Sequence, residues 1–87
     1  MIIKSYTLMS KNGLTSRACT ALVSQANNFK CDLQLIYQDE NANLKSIMNM
    51  MALVIKHGEK FSISANGKQE EEALQSLENL LINSGLI

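Results

Sequence analysis

The sequence contains no proline and no tryptophan, few cysteines and glycines, and no low-complexity run. With 46% hydrophobic and 18% charged residues, this is the composition of an ordered globular domain rather than a disordered tail. At 87 residues the chain supports one domain with one modest core. Net charge is missing as well, because 8 Lys and Arg balance 8 Asp and Glu. Without a positive excess there is no footprint for neutralising phosphates, which argues against direct nucleic-acid binding. Long apolar runs are also lacking. The best, Ile47 to Ile55, is interrupted by Asn49 and falls far short of a bilayer span. No charged-then-apolar leader opens the chain, so a soluble, unexported, cytoplasmic protein with no membrane partner is expected.

The two cysteines, Cys19 and Cys31, stand too far apart for a CxxC redox pair or half a zinc site. Cys19 falls on an apolar helical face, where a thiol packs, so free thiols in a reducing compartment are expected. The single histidine, His57, has no second ligand at metal-binding spacing, and no metal or cofactor is expected. Its place between Lys56 and Gly58 is read as a helix end, where an imidazolium suits the C-terminal dipole.

Along the chain, Ile2, Lys4, Tyr6 and Leu8 alternate with Ile3, Ser5 and Thr7 in the period of a strand. After Asn12-Gly13, the apolar residues Cys19, Leu22, Val23, Ala26 and Phe29 recur at helical spacing, predicting a helix over Ser16 to Asn27. Leu33, Leu35 and Tyr37 open a hairpin whose polar turn, Gln38 to Asn41, returns to Asn43. Ser46 is a good N-cap for a short helix through Ile47, Met48, Met50, Met51, Leu53, Val54 and Ile55, ended near Gly58. Phe61, Ile63 and Ala65 mark a strand that stops at Asn66-Gly67. Glu70 to Glu72 then favour a helix start, and Ala73, Leu74, Leu77, Leu80 and Leu81 form its buried stripe up to Gly85. The order βαββαβα, with a hairpin in its middle, predicts an α+β fold: an open-faced sandwich with a four-stranded antiparallel sheet, three helices on one face and the other face wet.

Two segments carry a family resemblance that covers the whole chain. Asn12-Gly13-Leu14-Thr15-Ser16-Arg17-Ala18 resembles the active-site loop of HPr, the phosphocarrier of the bacterial sugar phosphotransferase system, whose pattern is Gly-Leu-His-x-Arg-Pro-Ala. Lys45-Ser46-Ile47-Met48-Asn49-Met50-Met51 resembles the family's regulatory segment, in which the serine is the target of the bifunctional HPr kinase/phosphorylase. This sequence departs from the pattern with Thr15 at the histidine position, Ala18 at the proline position and Asn49 where the family usually has glycine. In lacking the histidine while keeping the serine it is similar to the catabolite-repression branch of the family (Crh).

The first departure bears on chemistry. An imidazole nitrogen forms a labile phosphoramidate, whereas a threonine hydroxyl without an activating base is a weak nucleophile and gives an unreactive ester. Thr15 is therefore read as a degenerate phosphohistidine position whose work is to cap the following helix. Arg17, beside free backbone N–H groups, keeps the anion-binding half of the loop. A phosphate on Ser46 would add roughly −1.5 to −2 of charge at a helix start, favoured there by about 0.3–1 kcal/mol. That is enough to change a recognition surface and too little to refold a domain.

The resemblance implies a regulatory protein of carbon catabolite control, without enzymatic activity and with no catalytic residue of its own. It implies phosphorylation of Ser46 and binding through Arg17, Ile47, Met48 and Met51 to a LacI-type catabolite control regulator or to metabolic enzymes. If Met50, Leu53 and Val54 face the core, Ile47, Met48 and Met51 are left exposed as an adaptable thioether-rich patch. Two alternatives stand beside this: an unphosphorylated interaction or dimerisation protein, with an edge strand and short loop that permit exchange into a homodimer, and a residual phosphocarrier. The latter would need Thr15 or His57 as acceptor, and neither has a nucleophile-and-orienter pattern readable in the sequence.

Overall fold

A computed structural model describes all 87 residues as β1 (Ile2–Thr7), α1 (Ser16–Ala26), β2 (Cys31–Tyr37), β3 (Glu40–Asn43), α2 (Ile47–Met51), β4 (Lys60–Gly67) and α3 (Glu70–Asn83). The order is the βαββαβα expected. One four-stranded sheet runs β1-β4-β2-β3 with every neighbour antiparallel, so β1 and β3 are its edges. The two-residue period decides which face is covered. Phe61, Ile63 and Ala65 of β4 are buried with Leu33 and Leu35 of β2 beneath the helices, while Ile3, Ser5 and Gln34 line the open face. Ser64 points to that open face and is still buried, since it lies on a central strand between Ile3 and Gln34.

Helix ends follow local chemistry. Thr15 caps α1, and α1 stops at Ala26, one residue earlier than expected; there the Asn27 side chain donates back to the Val23 carbonyl at 2.8 Å. Phe29 lies beyond the helix and packs on the core from the turn. Gln69 precedes α3 in the left-handed region (φ 64°) and gives it no side-chain cap; its Oε1 accepts from Lys30 N instead. Three glutamates in the first turn compensate by charge. At the other end Gly85 (φ +71°) allows a paired closure, Gly85 N to Ile82 O at 3.1 Å and Leu86 N to Leu81 O at 2.9 Å. Leu86 is thereby buried, and its carbonyl accepts from Met9 N at 2.7 Å, joining the chain end to the loop after β1.

Two elements differ from expectation. The hairpin turn is tighter, since Tyr37 pairs with Glu40 and only Gln38 and Asp39 bridge the strands, with Gln38 at φ 55°. The Met-rich helix ends at Met51 instead of running toward Gly58. Its apolar residues go most of the way round, and no single helical face can bury them all. Beyond Met51 the chain extends, which turns Leu53 and Ile55 inward and leaves Ala52, Val54 and Lys56 outside. The Ile55 carbonyl accepts from Leu14 N at 2.9 Å, an approach made possible at Gly13 (φ +71°), where a Cβ would lie 2.6 Å from that same oxygen.

Both cysteines are free and buried, and burial pushes their thiol pKa values up. No helix is long and apolar enough to cross a membrane.

Candidate functional site

A helix of five residues is too short to hold itself in water, so the position of Ser46 is set from outside α2. Leu44 and Met50, both fully buried, anchor the segment on either side. Lys45 fixes its backbone: the ammonium donates to Phe29 O at 2.6 Å, its N–H to Asn43 Oδ1 at 2.9 Å, and its carbonyl accepts from Asn27 Nδ2 at 3.2 Å. From the fourth side the Cys19 thiol donates to Met50 O at 3.7 Å.

On this platform Ser46 is the N-cap (φ −113°, ψ 116°) and is half-buried. Its Oγ accepts from Asn49 N at 3.3 Å and from Asn49 Nδ2 at 3.0 Å. A hydroxyl has two lone pairs and one proton, so the O–H is left as the uncommitted function of Ser46. In the sequence Asn49 stands out as a departure from the family's glycine, and its capping role comes from the fold. The Ser-x-x-Asn spacing, which lets residue i+3 return a side chain to the cap, was the available signal.

Beside the serine, Ile47, Met48 and Met51 are 38%, 81% and 52% exposed, as expected of a patch, while Met50 alone turns inward. Val54 corrects the expectation. Of the three residues whose inward placement would leave the patch exposed, Met50 and Leu53 are buried and Val54 is 69% exposed, because the extended chain after Met51 alternates sides. It lies with Ala52 beside the β2–β3 turn.

At the start of α1, Thr15 Oγ1 accepts from Ala18 N at 3.2 Å, the cap predicted for it. Arg17 is exposed and enters neither ion pair of the protein, Met1 N-terminus with Glu70 and Lys4 with Glu78. No acidic residue occupies the first turn of α1. The contacts Cys19–Met50 and Asn27–Lys45 set α1 and α2 antiparallel, so Ser46 adjoins the far end of α1 from Arg17. The candidate residues therefore share one helix pair, but Arg17 and Ser46 make no contact.

His57 also departs from expectation. With α2 ending at Met51 there is no helix terminus beside it; it sits exposed in the turn before β4, with Nδ1 3.2 Å from the carbonyl oxygen of Met9. That turn is stapled by Glu59, whose Oε2 accepts from the Tyr37 hydroxyl at 2.6 Å and whose Oε1 accepts from Lys56 N at 2.7 Å. The Tyr37 hydroxyl, and then the Lys56 N–H, hold the Glu59 carboxyl below the usual range. The contact between His57 and Met9 spans 48 positions and had no signal in the sequence. No three His, Cys, Asp or Glu side chains are placed to hold a metal ion.

Comparison with known proteins agrees with this architecture. The pattern of the PTS-HPr family, described as the PTS HPr component phosphorylation site, matches residues 2–83. The phosphocarrier protein HPr of Mycoplasma capricolum is 35% identical over 80 residues, covering 92% of this chain and 90% of that protein. The solved structure of a mycoplasmal histidine-containing phosphocarrier protein superposes with a TM-score of 0.95 at 34% identity, over 99% of this chain and 98% of the other. Crh of Bacillus subtilis, solved as a domain-swapped dimer, superposes with a TM-score of 0.74 at 31% identity and covers 95% of each chain.

Proposed function

Because the chain belongs to the HPr family, we propose that it is a cytoplasmic, non-catalytic regulatory member of carbon catabolite control, phosphorylated on Ser46 by HPr kinase/phosphorylase. In this reading Thr15 stands where the family's phosphocarriers hold their histidine, and the relay through residue 15 is closed. Its hydroxyl serves as a helix cap, accepting from Ala18 N, and hydrogen-bonds to no carboxylate or imidazole that could activate it. The partner is a LacI-type catabolite control regulator or a metabolic enzyme, reading the Ser46 phosphate together with Ile47, Met48, Met51 and Arg17.

The observation that carries the reading is the uncommitted Ser46 hydroxyl bordered by exposed Ile47, Met48 and Met51. Charge added there meets an adaptable apolar surface, so a partner can distinguish the two states without a change of fold. Incubation with HPr kinase/phosphorylase and ATP is expected to add one phosphate that Ser46→Ala abolishes. Unmodified protein after full turnover of a control HPr would refute the reading.

Two observations favour alternatives. β1 is an edge strand paired only with β4, and the Crh relative is a swapped dimer, which suits an unphosphorylated dimerisation protein. Sedimentation at micromolar concentration tests it, with a dimer expected under that reading. A residual phosphocarrier needs an acceptor nitrogen, and the sequence holds one histidine, His57.

A further inference from the structure

β3 closes the sheet on one side and pairs only with β2. In an antiparallel ladder, residues alternate between bonded and unbonded positions. Tyr37 and Glu40 close the two-residue turn and Leu44 N donates to Leu33 O at 2.9 Å, so Glu40, Ala42 and Leu44 are the residues bonded to β2. Asn41 and Asn43 lie between them and direct their backbone groups away from the sheet. The Asn43 carbonyl is taken by Ser46 N at 3.0 Å, which leaves the Asn41 N–H and C=O and the Asn43 N–H as an open pairing edge. Asn41 is exposed, and a groove of about 450 Å³ separates this strand from α2, with Glu40, Asn41 and Ala42 on one side and Met48, Ala52 and Leu53 on the other.

The groove is apolar along α2 and acidic at one end. Past Glu40 it continues to the β2–β3 turn, where Asp39, Ala52 and Val54 line the same depression. Asp39 and Glu40 are exposed and enter neither ion pair of the protein. On β1, the other edge, the strand's own charges are already matched, the Met1 ammonium with Glu70 and Lys4 with Glu78.

We propose that β3 and this groove bind an extended segment of another protein as a fifth strand, one in which an apolar residue is followed two positions later by Lys or Arg. The Asn41 N–H and C=O pair with the segment's backbone. Side chains two apart on a strand share a face, so both anchors point to the helical side, as Ala42 and Glu40 do. The apolar one packs on Met48 and Ala52, and the basic one meets Glu40 and Asp39. A second copy of this chain fits less well: its β3 would bring two more carboxylates to the edge, and its Lys4 is already held by Glu78. The surface shares Met48 with the Ser46 patch, but binding needs no phosphate and stands apart from the regulatory reading.

The probe is the capped peptide Thr-Val-Thr-Lys-Thr-Val-Thr, titrated to millimolar concentration into the whole unmodified protein and followed by 1H–15N spectra. Shifts centred on Asn41, Asn43, Met48 and Ala52 are expected, with the Asn41 amide moving downfield and exchanging more slowly. Binding is expected to weaken at least about tenfold when the peptide's Lys is replaced by Glu, or when the protein carries Glu40→Lys. Asn41→Pro removes only an outward donor, which an edge strand tolerates, and is expected to abolish the shifts while circular dichroism stays that of the parent. If Asn41→Pro unfolds, Glu40→Lys carries the same test. No binding, shifts centred on β1, equal binding of the Lys and Glu peptides, or binding retained by folded Asn41→Pro would each overturn the proposal. So would Asn41 shifts produced by raising the protein concentration alone, which would assign the edge to a second copy.

Discussion

Replacing Ser46 by alanine removes the acceptor for both Asn49 N–H groups and leaves the first turn of α2 uncapped. Loss of an N-cap side chain costs typically about 1 kcal/mol, within a range of roughly 0.5–2. Asn49 is exposed, so water replaces the lost bond to its side chain and adds no burial penalty. For a domain of this size about 1 kcal/mol shifts the melting temperature by roughly 4–8 °C. Ser46→Asp behaves differently. Aspartate is as good an N-cap as serine and its carboxylate accepts from the same two donors, so the melting temperature is expected to stay close to that of the parent protein. Thermal unfolding by circular dichroism of the three proteins at neutral pH measures the contrast. Its functional use is that any change in partner affinity seen with Ser46→Asp then reports charge and not unfolding. Equal destabilisation by alanine and aspartate, or none by alanine, would refute the capping geometry and the claim that a phosphate leaves the fold intact.

Other perturbations test the rest of the platform. Met50→Ala empties a fully buried site and is expected to cost about 2–5 kcal/mol. Met48→Ala, two residues away on the exposed side, is expected to stay within about 0.5 kcal/mol in denaturant titrations while weakening partner binding. Gly13→Ala forces a side chain into the left-handed region and against the Ile55 carbonyl, for about 2–4 kcal/mol of destabilisation by the same measurement. The Lys4 ammonium at 2.6 Å, and then the Tyr6 hydroxyl at 3.0 Å, hold the Glu78 carboxyl below the ordinary glutamate value. A depressed folded pKa gives stability that is present above the unfolded value and lost as pH falls through the folded one. Glu78→Gln is therefore expected to lower the denaturation midpoint at pH 7 and to flatten its fall on acidification; an unchanged pH profile would refute the linkage.

Much of this was legible because the local signals agreed with one another. The alternation of Phe61, Ile63 and Ala65, the stripe Ala73, Leu74, Leu77 and Leu81, and the caps Thr15 and Ser46 each had a residue pattern with one physical meaning. The misread stretch was the one without such a pattern. From Ile47 to Ile55 nearly every residue is apolar, so periodicity could not say where a 3.6-residue repeat gives way to a two-residue one. The extended chain after α2 is held by Leu14 N reaching Ile55 O, a bond across 41 positions, and the outward turn of Val54 goes with it. The left-handed cap at Gln69 and the seat of His57 on Met9 are non-local in the same way.

That early end of α2 also has a functional consequence. A longer helix would have turned Val54 or Leu53 about the same axis as Met50 and displaced the chain from Gly13, leaving the turn at residues 56–59 without its anchor. By leaving the helix after Met51 the chain buries Leu53 and Ile55, turns Val54 outward beside the β2–β3 turn, and lies against the loop that carries Thr15. The Ser46 surface and the His57 turn are thus the two ends of one segment, fixed at Lys45 by α1 and at Ile55 by Leu14. The exposed Met48, Met51 and Val54 all lie on this segment between its two anchors. Loss of either anchor, by Asn27→Ala or by Gly13→Ala, is therefore expected to disturb this surface as well as its own end of the segment, read as chemical-shift changes at Met48 and Met51.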